Sequence, residues 1–152
     1  MSVHSVISVT SADDSTLSIQ MAARAGILCT KHWKNLVQQE TPDKYLPAYL
    51  LELLAIECQR TEAPDVFVDA KFRSILRRIA DPNLMIDFAD HPCCRYSPDE
   101  LEQGLTQRRQ APSVADPGNP TNDMARPRAH RIDWEFWREQ ANACLRQINS
   151  GD

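Results

Sequence analysis

Three groups of residues in this chain have the types that phosphate, metal or acid–base chemistry uses. The first is cationic. Arg24, Lys31 and Lys34 fall in one segment that reads as a single long helix, and such a basic face binds phosphates in a salt-dependent, sequence-independent way. Lys71, Arg73, Arg77 and Arg78 form a denser cluster, but a charge run on an amphipathic helix is usually a face turned to water. The second group, His91-Pro92-Cys93-Cys94, has the look of a metal fragment. A structural tetrahedral zinc site takes four ligands, and here the fourth, Cys58 or Cys144, would have to arrive from far along the chain. Free thiols are therefore expected, and no metal site. The third group is carboxylates. Asp13 and Asp14 are adjacent and project in divergent directions, while Asp87 and Asp90 sit in a short strand-like segment with nothing glycine-rich before it. Glu52 and Glu57 have no His, Ser or Lys placed by spacing to work with them, so they are expected as surface or interlobe contacts. No catalytic residue is assigned.

The bulk of the chain sets the frame for these groups. Its 152 residues suffice for one domain with a core. Seventeen Lys and Arg against 21 Asp and Glu give a net charge of −4, which is not the overall signature of a nucleic-acid binder. Four glycines against ten prolines argue against a β-sandwich with many tight turns. No apolar run approaches the ~20 residues of a membrane span. The start of the chain has no charged region followed by an apolar block, so no secretory signal is read and no membrane partner is expected. Five cysteines, odd in number and mostly inside apolar patterns, read as reduced thiols of a cytoplasmic or nuclear protein.

The elements that must carry the groups are mainly helical. Residues 1–14 are small and polar and read as a flexible lead-in to a domain over 15–148. Ser15 or Thr16 caps a helix of about 15–39, whose apolar stripe is Leu17, Met21, Ala25, Leu28 and Leu36, widened by Trp33 and Val37. Pro47 suits the first turn of a second, buried helix rich in leucine. A third, over 65–80, turns Phe67, Ala70, Ile75, Leu76 and Ile79 inward and Lys71, Arg73, Arg77 and Arg78 to water. Ser97-Pro98-Asp99-Glu100 is a capping box that starts a helix over 98–108. Asp133 caps the last helix, about 134–147, with Trp134, Trp137, Ala141, Cys144 and Leu145 on one face. Residues 84–88 and 112–115 are candidate strands. The expected fold is therefore mainly α, about five helices with a short two-stranded β element.

Residues 114–123, Val-Ala-Asp-Pro-Gly-Asn-Pro-Thr-Asn-Asp, follow the second candidate strand. Prolines at 117 and 120 forbid both a helix and a central strand here. Asp116, Asn119 and Asn122 are turn-locking types, with Asp116 placed to accept backbone amides. Residues 116–131 are read as one long loop.

Four blocks in this order are similar to a known family. They are Lys31-His32-Trp33, then Leu46-Pro47-Ala48-Tyr49-Leu50-Leu51-Glu52-Leu53-Leu54, then Lys71-Phe72-Arg73-Ser74-Ile75-Leu76, and last the 114–123 turn with its Trp-bearing helix. Over about residues 17–147 the chain resembles the C-terminal helical lobe of the 2′-5′-oligoadenylate synthetases. Its counterparts there read V-K-H-W, L-P-x-x-Y-A-L-E-L-L, G-F-R-T-V-L and V-I-L-D-P-A-D-P-T-x-N. The resemblance implies nucleotidyltransferases that, once activated by double-stranded RNA, join ATP into 2′-5′-linked oligoadenylate in antiviral innate immunity. It places at Lys31 a lysine that reaches the ATP triphosphate, and RNA-facing cations at Arg24, Lys31 and Lys34. Leu28 and Ala48 stand where the family has an arginine and a glutamine, which takes two donors from the triphosphate site.

The family's chemistry also needs a G-S turn and a D-x-D pair with a third Asp on a separate N-terminal lobe, where two metal ions steer the reacting oxygens. This chain has no Gly-Ser pair and no D-x-D. It is therefore expected to be non-catalytic alone, with Mg and ATP the business of a complete family enzyme and no cofactor in this chain. Its expected partners are a separate catalytic lobe, a second copy of itself, or duplex RNA. The other reading open at this point is a helical protein-interaction module with no nucleotide or RNA role.

Overall fold

The computed structural model describes residues 11–62, 67–88, 97, 99 and 110–150. Four helices and a small sheet stand among them: α1 (Ser11–Glu40), α2 (Ala48–Thr61), α3 (Val68–Ala80), β1 (Met85–Ile86), β2 (Ser113–Asp116), β3 (Asn119–Asp123) and α4 (Trp134–Ser150). The expected mainly α class holds. The expected helix over 98–108, and the His91-Pro92-Cys93-Cys94 fragment with Asp90, lie outside the described residues.

The leucine-rich α2 is central because nearly every side of it is apolar. Leu50, Leu51, Leu53 and Leu54 are fully buried, each worth about 1.5–3 kcal/mol relative to exposure. They join Ile75, Leu76 and Ile79 of α3 and Trp137 and Ala141 of α4 in one core. Pro47 is the residue before the first turn, in extended backbone, and Leu46 beside it is buried. Asp133 caps α4 as expected: its Oδ1 accepts the Phe136 N–H at 3.1 Å, and its carbonyl accepts the Trp137 N–H at 3.1 Å.

The first helix differs from expectation in two ways. It begins at Ser11, upstream of Ser15. And the large apolar residues at helical spacing do not face the core: Met21, Leu28 and Leu36 are 62%, 60% and 49% exposed. The buried side is instead Ala22, Ala23, Gly26 and Thr30, with Ile27, Trp33 and Val37 packed against the core. Small residues let α3 come close. A Cβ built on Gly26 would lie 2.6 Å from Lys71 Cβ. That approach buries Lys71, so its expected exposure is corrected, and Thr30 Oγ1 donates to the Gly26 carbonyl at 2.8 Å. Phe67, expected inside, precedes the first turn of α3 and is 66% exposed.

The sheet has order β1-β2-β3, with one strand more than expected. β1 runs parallel to β2, pairing Met85 with Ser113 and Ile86 with Val114. β2 turns at Pro117-Gly118 and pairs antiparallel with β3, with an irregularity between Ala115 and Asp116. Residues 119–123 were expected as loop because of the prolines. They form a strand because β3 is at the rim, where Pro120 owes no ladder hydrogen bond on its outer side. Asp123 Oδ1 accepts the Val114 and Ala125 amides at 2.9 and 3.0 Å and so fastens the hairpin.

Cys29, Cys58 and Cys144 are free thiols. Burial pushes the Cys58 thiol up to about 12, whereas Cys29 is exposed on α1. Since the thiolate is the nucleophile, iodoacetamide at mildly alkaline pH is expected to label Cys29 well before Cys58. Peptide mapping by mass spectrometry checks this, and equal labelling rates in the folded protein would contradict the buried position. Among the described residues no helix is long and apolar enough to cross a membrane.

Candidate functional site

Three elements converge on the candidate site: one flank of α1, the first turns of α2, and the β2–β3 hairpin. At 100° per residue, Arg24 and Lys31 of α1 lie almost in line, about 10 Å apart along the axis, with Lys34 one turn further on. This line runs between the buried side of α1 and its exposed Met21–Leu28–Leu36 stripe. Arg24 is exposed, and Lys31 and Lys34 are half-buried. Burial first, and then the neighbouring Lys31 charge, lower the pKa of Lys34 from its ordinary value.

Lys31 is not free. Its Nζ donates to Glu52 Oε1 at 2.8 Å, joining α1 to α2. Glu52 shares a side of α2 with Tyr49, three residues earlier. Tyr49 OH in turn donates to Asp116 Oδ1 at 3.2 Å, tying α2 to the hairpin. Asp116 is the hub of its turn: Oδ1 also accepts the Gly118 N–H at 2.9 Å, and Oδ2 accepts Asn122 Nδ2 at 3.2 Å. The turn-locking roles expected for Asp116 and Asn122 are thus seen in the hairpin. Spacing places no lysine beside Glu52, and its partner Lys31 comes from 21 residues away with no local sequence signature. Glu57, expected as a surface or interlobe contact, is buried within this chain and held by Arg60 Nη2 at 2.7 and 3.0 Å.

The arrangement offers two ammonium groups one turn apart, one of them loosely neutralised. An exposed or half-exposed ion pair is worth only about 0–1 kcal/mol, so a ligand with several negative charges could displace Glu52. The denser cationic cluster on α3 is differently disposed. Arg73 bonds Asp69, Arg78 bonds Glu62 and Thr61, and Lys71 is buried, which leaves Arg77 exposed. Among the described residues no three of His, Cys, Asp and Glu come together as metal ligands.

Comparison with known proteins adds sequence relationships to this geometry. The family described as 2'-5'-oligoadenylate synthetase 1, domain 2, C-terminus, matches residues 19–151. The mouse (Mus musculus) 2'-5'-oligoadenylate synthase-like protein 1 is 29% identical over 123 residues, which is 77% of this chain and 23% of that protein. The chain therefore spans less than a quarter of the length of the curated relative it matches. No solved structure matches it.

Proposed function

Because the chain belongs to the family of 2′-5′-oligoadenylate synthetase C-terminal domains, we propose that it is the helical half of an oligoadenylate-synthetase-like system. In this reading it does no phosphoryl transfer alone. It offers Lys31, with Lys34 behind it, to the triphosphate of ATP, and the Arg24–Lys31–Lys34 flank of α1 to duplex RNA. The carboxylates and Mg ions that act on the triphosphate belong to a catalytic lobe that packs beside them. The setting is the family's antiviral signalling, in the cytoplasm or nucleus.

The observation that carries this reading is a juxtaposition. The cationic line of α1 borders a stripe of large apolar side chains, Met21, Leu28 and Leu36, that the described residues leave exposed. A folded surface of this kind favours being covered, and a lobe seated on it would close over Lys31. A second reading, a plain helical interaction module, draws on the Lys31–Glu52 pair: an ammonium already satisfied by its own chain needs no phosphate.

Titration with Mg-ATP separates the two. Under the first reading, binding is saturable. Lys31→Ala weakens it about tenfold or more, as loss of a charge-assisted bond does, and Glu52→Gln strengthens it a few-fold by releasing Lys31. Absence of saturable binding by both the natural chain and Glu52→Gln would discard the nucleotide role and leave the interaction module.

A further inference from the structure

The chain has four lysines, and the fold puts each in a different setting. Lys71 is buried where α3 meets Gly26 of α1. Lys44 Nζ donates to Asp133 Oδ2 at 2.8 Å, a bond that raises the lysine pKa and holds the amine protonated. Lys31 Nζ is held by Glu52 Oε1 at 2.8 Å. Lys34 is half-buried, and among the described residues no hydrogen bond or ion pair engages its amine.

Lysine is rarely withdrawn from water unless it is paired, so the setting of Lys34 is unusual. It lies three residues beyond Lys31 on α1, a spacing that brings the two Cβ atoms within about 5–6 Å. The charge that acts on it is another cation. Burial first, and then the Lys31 charge, lower its pKa. Both favour the neutral amine, the form with a lone pair to give, and each unit of lowering raises that fraction about tenfold. Desolvation and a neighbouring cation are the means by which proteins turn a lysine into a nucleophile.

We propose that Lys34 accepts an acyl group directly from an acyl phosphate and is the preferred acylation site among the lysines of this chain. The Lys34 Nζ lone pair attacks the acyl carbon. The new N–C bond forms, the bond from that carbon to the phosphate oxygen breaks, inorganic phosphate leaves with the electron pair, and the amine gives its proton to water. Lys31 assists twice: its ammonium attracts the dianionic donor and favours the neutral form of Lys34. An uncharged acyl ester gains only the second effect, which sets the class of donor. The product is an uncharged amide, so acylation takes one cation off the Arg24–Lys31–Lys34 flank. The weaker triphosphate binding that follows rests on the nucleotide reading above; the transfer itself does not.

Limited reaction of the purified full chain with acetyl phosphate at mildly alkaline pH, followed by peptide mapping, tests this. Lys34 is expected to be acetylated several-fold faster than Lys31, Lys44 or Lys71. Lys31→Gln is expected to slow Lys34 several-fold, and to slow it more with acetyl phosphate than with uncharged phenyl acetate. Lys44, followed in the same digest, keeps its rate, which separates loss of the neighbouring charge from loss of the fold. Acetyl groups spread evenly over Lys31, Lys34 and Lys44 would overturn the proposal. So would a Lys34 rate indifferent to Lys31→Gln, or one that falls equally with both donors. No arm of the experiment needs ATP, so selective acetylation of Lys34 in a chain that fails to bind Mg-ATP discards the nucleotide role alone.

Discussion

Trp137→Ala is expected to remove about 3–5 kcal/mol of stability, the usual range for deleting a large buried aromatic side chain. Trp137 is fully buried and is the largest side chain in the core. Its ring meets Trp33 of α1 edge-on at 5.7 Å and Phe136 at 5.3 Å. Its Nε1 donates to the Tyr45 carbonyl at 3.1 Å, so one residue ties α4 to α1 and to the loop that leads into α2. Truncation opens a cavity and also strands that carbonyl. Urea denaturation should show a lower midpoint with an unchanged slope. Trp137→Phe should recover part of the loss, since it refills space but cannot donate the hydrogen bond. A midpoint within error of the natural chain would mean that α4 does not close the core in this way.

Gly26→Val is expected to cost about 3 kcal/mol through overpacking. On an isolated helix, replacing glycine usually gains stability, about 0.5–1 kcal/mol for alanine. Here the sign is reversed by position, because the new Cβ would sit 2.6 Å from Lys71 Cβ, an atom fixed close to the α3 backbone rather than at a flexible tip. The two helices must part, and the burial of Lys71, Ala22 and Ala23 goes with the contact. Gly26→Ala should fall in the same direction with a smaller loss. Thermal melting decides the matter: a raised midpoint for Gly26→Ala would show that propensity outweighs contact and that the α1–α3 approach is looser than described.

These two residues also mark how far the sequence could be read. Trp137 was legible: an Asp cap followed by tryptophans at helical spacing names both the helix and its inward face. The leucine run of α2 was legible for the same reason. Gly26 was not, because small residues carry little hydrophobic signal, so the larger Met21, Leu28 and Leu36 drew the inward assignment on α1. Strand β3 was hidden by its prolines, which exclude a central strand but not a rim. Of the candidate site, Lys31 and Asp116 could be picked out from the family-like blocks. The Glu52 partner could not, since it depends on how two helices cross rather than on spacing along either.

Among the described residues, the rims of the small sheet give a second copy of this chain little to pair with. β1 offers two residues, and β3 carries a proline that has no amide to give. Among the described residues neither rim is a template for end-on strand addition, the route by which exposed sheets recruit one chain after another. Contact through α1 is of another kind. Two copies meeting on the same stripe satisfy each other by a twofold axis, and the surface is then used up. If copies join by that route, assembly stops at a pair, and scattering from concentrated samples would then level off at twice the monomer mass instead of climbing with time.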